Sequence, residues 1–196
     1  MGQGEAMPIS ELMPCGEDTY NNISVQTLDA YGRTDKNYVW TDAGGESWDQ
    51  IGWVDDENNL VTDVAFAPGQ ALWVSASSAN QSLQTAGSVG QSDVVVQLRA
   101  GGSLAGNPFP VDITLGDLIP SGDNTYNNIS VQTLDAYGRT DKNYVWTDAG
   151  GESWDQIGWV DDENNLVTNE IISAGQGLWI AGSSTEQYIT FPAPEL

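Results

Sequence analysis

The side chains best suited to chemistry in this sequence are carboxylates and indoles. Aspartate and glutamate number 28 against five lysines and arginines, with no histidine, for a formal charge of -23. Without imidazole there is no ordinary nucleophile–base triad and no histidine metal ligand. A Gly-rich phosphate loop with its lysine is missing as well. A pair of carboxylates would suffice for glycoside hydrolysis, but among 28 acids some pair falls together by chance. The residues therefore point to binding or assembly, and no enzyme is expected.

The acidic run Asp55-Asp56-Glu57-Asn58-Asn59 recurs as Asp161-Asp162-Glu163-Asn164-Asn165. Its hard oxygens suit calcium, with Asp55, Asp56, Asn58 and Asp161, Asp162, Asn164 as the weak candidate ligands. The alternating acids and the glycine of a recognised calcium loop are absent, so a solvated turn is the stronger reading. No other cofactor is expected. The single cysteine, Cys15, excludes an internal disulfide framework. The serine at its repeat counterpart, Ser121, marks it as a small turn residue rather than a reactive thiol.

All eight tryptophans fall within repeated sequence. Alternate residues of a strand face opposite sides, so Tyr38 and Trp40 share a face. Trp48 and Trp53 would point oppositely from one regular strand. Either one indole lies on an outer surface, or Gly52 hosts a bulge that realigns them. Large aromatics ordinarily fill the core of a small β module. The functional alternative makes Trp48, Trp53, Trp154 and Trp159 a platform for stacking sugars, or a hot spot for another subunit.

These residues sit in a duplicated framework. Thr19 to Thr62 recur without one change as Thr125 to Thr168, an offset of 106. The flanks have diverged: ISELMPCGED aligns with LGDLIPSGDN, and GQALWVSASS with GQGLWIAGSS. Residues 1–88 form a first β repeat module and 89–196 a second, with residues 89–111 as a strand-bearing connector that occurs once. One module is thus expected to lack strand material that the other possesses.

The elements that position the side chains read as strands. ISVQTL and NYVWT are rich in β-branched and aromatic residues and are joined through Tyr31-Gly32-Arg33. VAFA and ALWVS flank the turn Pro68-Gly69-Gln70. The run Val94 to Leu98 does not alternate, which predicts a strand covered on both faces. The best helical signals are single turns around Ile113 to Leu118 and Ser10 to Met13. The expected fold class is all-β, two tandem homologous β-sandwich or barrel-like modules.

Two signatures carry a family resemblance: Leu104-Ala105-Gly106-Asn107-Pro108-Phe109-Pro110, and Pro68-Gly69-Gln70-Ala71-Leu72-Trp73-Val74 with its copy at Gly175 to Ile180. Together with the Tyr38-Val39-Trp40 segment, this set of motifs resembles β-rich repeat modules of secreted and cell-surface bacterial proteins. The resemblance implies an extracellular or cell-surface setting. It brings no catalytic residues. The opening residues, MGQGEAMPISELM, do not read as a signal peptide, and no run approaches the roughly 18 apolar residues of a membrane helix.

The acidity repels nucleic acid and anionic headgroups, so the expected partners are other copies of the chain and, alternatively, glycans. The leading expectation is an extracellular structural protein that self-assembles into a filament or ring by inter-subunit strand addition. The candidate donor strands are the N-terminal segment through Ile9, the run Val94, Val95, Val96 and Leu98, and the segment with Tyr188, Ile189 and Phe191. The alternative is a carbohydrate-binding surface module using exposed tryptophan.

Overall fold

The computed structural model describes residues 6–85, 90–152 and 154–194; the expected boundary between residues 88 and 89 lies outside them. The chain is all-β. The first half contains β1 (Met7–Pro8), β2 (Met13–Cys15), β3 (Ile23–Leu28), β4 (Thr34–Gly44), β5 (Gln50–Val54), β6 (Ala65–Phe66), β7 (Trp73–Ala76) and β8 (Ser82–Gln84). The second contains β9 (Val94–Gln97), β10 (Ser103–Gly106), β11 (Ile113–Thr114), β12 (Ile119–Gly122), β13 (Ser130–Leu134), β14 (Thr140–Gly150), β15 (Gln156–Val160), β16 (Ile171–Ile172), β17 (Gly177–Ala181) and β18 (Gln187–Phe191). The two helical signals are single 3-10 turns, Ile9–Glu11 and Leu115–Asp117. No helix among the described residues is long and apolar enough to cross a membrane.

Every strand ladder is antiparallel. The first half has the sheets β5-β4-β3-β7, β2-β8 and β1-β6; the second has β15-β14-β13-β17-β10, β12-β18-β9 and β11-β16. None closes into a barrel among the described residues. Shifting by the repeat offset matches β1 to β8 with β11 to β18. Among the described residues, only β9 and β10 have no counterpart.

Local chemistry explains the common framework. At the β3–β4 turn, Asp29 Oδ1 accepts from the N–H groups of Tyr31 (2.8 Å) and Arg33 (2.9 Å), and Gly32 supplies φ +76°. The β4–β5 ladder shifts register between Thr41 and Gly44, so the bulge lies on β4 rather than at Gly52. Gly52 is small for another reason: a Cβ there would lie 2.9 Å from Leu60 Cδ2.

Trp53 and Trp159 are core side chains, 2% and 1% exposed. Each indole N–H donates to a backbone carbonyl, Leu12 O at 2.9 Å and Leu118 O at 3.0 Å, so burial leaves no polar group unpaired. Trp40 and Trp146 pack edge-on against them, at 5.5 and 5.3 Å between ring centroids. Ile23 and Val25 of β3 join Trp53 in the first core, and Ile129 and Val131 join Trp159 in the second.

Candidate assembly interface

The strands found only once form a cover. β9 lies along the outer edge of β18, pairing Val96 with Ile189 and Val94 with Phe191. β10 lies along β17, pairing Ala105 with Leu178 and Ser103 with Ile180. Between them the chain crosses from one sheet to the other and buries Leu98 completely. Phe109 follows, 3% exposed. The GNPFP signature has a specific role in this cover. The buried Asn107 amide donates to the carbonyls of Val111 (2.8 Å), Ile172 and Ser173 (both 3.3 Å), and its oxygen accepts from Phe109 N–H (3.1 Å). One side chain thereby fixes the turn that seats Phe109.

Among the described residues, the first half has the same framework without that cover. Leu178, Ile180, Ile189 and Phe191 are all 0% exposed. Their counterparts Leu72 and Leu83 are only half-buried, Thr85 is exposed, and Val74 is 47% exposed. The opposite side, where Ile9, Leu12 and Phe66 match Leu115, Leu118 and Ile172, is buried in both halves. The differences at Leu72, Val74, Leu83 and Thr85 thus lie on the flank that β9 and β10 close in the second half.

Part of the uncovered flank is met from within the chain. β10 bonds on both edges: besides its ladder with β17, Gly106 N–H donates to Gly69 O (3.0 Å) and Ala71 N–H to Leu104 O (3.3 Å). Beyond Ala71, β7 and β8 end their sheets with no further strand among the described residues. Pro14 stands opposite Leu83 and has no N–H to give. This must be a non-hydrogen-bonded pair, which turns the N–H and C=O of Leu83 toward the open edge.

The three expected donor segments are engaged within the chain wherever they are described; residues 1–5 of the first lie outside the described residues. Ile9 is fully buried in the first core, and its N–H donates to Val64 O at 2.9 Å. Tyr188, Ile189 and Phe191 belong to β18, a central strand between β12 and β9. Val94, Val95 and Val96 form β9, with Leu98 in the core below. The expectation that β9 is covered on both faces is corrected: it is an edge strand, and Val95 is 45% exposed. Leu98 N–H donates inward to Gln187 O (2.8 Å). By alternation the N–H groups of Val95 and Gln97 face outward, giving β9 its own free edge.

The tryptophan platform divides. Trp53 and Trp159 are core, while Trp48 and Trp154 are 68% and 66% exposed at the β4–β5 and β14–β15 hairpin tips. Both hold positive φ, 55° and 56°, an uncommon state for a bulky residue.

The acidic turns satisfy themselves. Asp55 Oδ1 accepts from Glu57 N–H (3.0 Å), Asn59 N–H (2.9 Å) and the Asn59 amide. Asp56 accepts from the Asn37 amide, and Asn58 ties the loop to Gly45 O. Asp161, Asp162 and Asn164 repeat the pattern. The hydrogen bonds from Asn59 and Asn165 hold the Asp55 and Asp161 carboxyls below the ordinary aspartate range. No cluster of three or more His, Cys, Asp or Glu side chains suited to a metal occurs among the described residues.

Two positioning residues gave no recognisable signal in the sequence. Gln187, fully buried, accepts from Ser183 and Ser184 N–H and donates to Asp123 O and Asn124 O. Gln81 does the same in the first half. Comparison of the chain with protein-family models, curated proteins and solved structures finds no match.

Proposed function

We propose that this chain is an extracellular structural protein of two tandem sandwich-like modules that self-assembles by adding strands between copies. The observation that carries the reading is Val74, 47% exposed where its counterpart Ile180 is 0% exposed. The occupant of this flank is a second copy, which presents the outer edge of its β9 to β8 of its neighbour. β10 supplies the precedent, since it serves the edge of the first half while staying in its own sheet. Donor and acceptor edges differ, so the contact is heterologous and propagates into a filament or closes into a ring. Shared backbone hydrogen bonds and apolar contact can oppose the repulsion between chains of charge -23.

Light scattering near physiological salt tests this. The expected result is a mass well above the 21.0 kDa of one chain, rising with concentration and salt. A monomer throughout the accessible concentration range would sink the proposal.

A second reading, glycan binding at the hairpin tips, is favoured by the exposure and constrained backbone of Trp48 and Trp154. The W48A/W154A variant separates the two: it removes tip binding and leaves the assembled mass unchanged.

A further inference from the structure

A separate groove runs between the two halves, with about 680 Å³ open to water, within the range of small-molecule sites. Its lining is duplicated. Tyr31 and Tyr137, Trp73 and Trp179, and Gln26 and Gln132 enter it as counterparts from the two repeats, joined by the hydroxyls of Thr34 and Thr140. No aspartate, glutamate, lysine or arginine lines it, although the chain carries 28 acids.

The tyrosines are held although they are not buried. Tyr31 and Tyr137 are 78% and 79% exposed. The Tyr31 N–H donates to Asp29, whose other oxygen pairs with Arg33 at 2.8 Å, and the Arg33 guanidinium lies 5.1 Å from the Tyr31 ring centroid. Tyr137 repeats this with Asp135 and Arg139, the guanidinium at 5.0 Å. Each ring therefore has one face backed by a cation and the rest presented to solvent. This limits the conformational freedom that a ligand would otherwise have to remove.

We propose that this groove binds a neutral oligosaccharide. The held aromatic rings suit stacking against the C–H faces of sugars, and the lack of charge disfavours anionic and cationic ligands alike. A proline-rich peptide also favours aromatic grooves, and the polar groups decide between them. Gln26 Oε1 accepts one bond from Thr34 and Gln132 Oε1 one from Thr140, so each carbonyl keeps a free lone pair. Sugar hydroxyls can donate to these acceptors, whereas a polyprolyl backbone has no N–H.

The test is calorimetric titration of the full chain with cellohexaose, xylohexaose, maltohexaose and chitohexaose, with decaproline alongside. The expected result is saturable binding of at least one sugar with a change in tryptophan fluorescence. The Y31A/Y137A variant should weaken binding by about tenfold or more, with melting temperature unchanged because both rings are exposed. The W48A/W154A variant should leave it intact. The proposal is overturned if no sugar binds at millimolar concentration, if binding survives Y31A/Y137A, if it is lost with W48A/W154A, or if decaproline binds instead. Assembly plays no part in these readouts.

Discussion

The indole of Trp73 lies over Gly138, its Cη2 only 2.9 Å from where a Cβ would stand. The contact is returned at longer range by Trp179 over Gly32, at 3.8 Å. Each half thus lays a tryptophan, from β7 or β17, on the β-turn glycine of the other. The turns have identical sequence and the same φ of 76°, so the two glycines form an internal control.

Alanine at either glycine meets the same left-handed strain, on the order of 1 kcal/mol. Only at position 138 does the new methyl also press on an indole. G138A is therefore expected to destabilise the chain more than G32A, with the excess read from urea unfolding midpoints. Equal losses would show that Trp73 can shift freely and that the contact does not hold the halves together.

The contrast between Val74 and Ile180 yields a second prediction. I180A removes methyl groups from a fully closed core and should cost about 2–5 kcal/mol. V74A, at the matching position, should cost no more than about 0.5 kcal/mol in the dilute monomer. A large loss for V74A at low concentration would mean that this flank is already covered and cannot serve as an open acceptor.

The repeat, the β content and most strand positions are readable in the sequence because they rest on local patterns: alternation, β-branched residues and Gly-rich turns. The uncovered flank is only half readable. Repeat arithmetic shows that material is missing, but only the pairing of β9 with β18 and β10 with β17 shows which edges it leaves bare. The run of valines in β9 suggested two covered faces. Its central residue, Val95, is instead exposed at a sheet edge, and position in a sheet is not encoded in a four-residue run. Trp48 was ambiguous because its positive φ takes it out of the strand alternation. Asn107 stood out in a motif, but its partners Ile172 and Ser173 lie far along the chain.

The acidic turns predict the pH response. Asp29, Asp55, Asp135 and Asp161 all have folded-state pKa values below the ordinary 3.8, the first and third through hydrogen bonds from Arg33 and Arg139. A depressed carboxylate contributes stability above its unfolded pKa and loses it as pH falls through the folded one. Stability should thus decline below about pH 4, and D55N/D161N should make that decline shallower. Lys142 carries the opposite sign: its pKa is raised by Glu170, 2.6 Å away. That contribution is complete below the unfolded lysine value and is lost as pH rises through the higher folded one. An acid limb unchanged in D55N/D161N would show that these turns are equally ordered in the unfolded chain.

The donor edge can be tested without disturbing the donor's own fold. In β9 the N–H of Leu98 points inward to Gln187 O, so by alternation that of Val95 points outward. Val95→Pro removes this outward donor and sets a ring on the edge, while the inward bonds of Val94 and Val96 to β18 remain. Proline is tolerated on an edge strand when its nitrogen faces solvent. V95P should keep the far-ultraviolet signature and melt within a few degrees of the parent chain, yet scatter light as a monomer. V96P removes an inward bond opposite Ile189 and should lower the melting temperature in the monomer itself. Assembly that persists in V95P would exclude the β9 edge as donor and leave the open flank of the first half to some other partner.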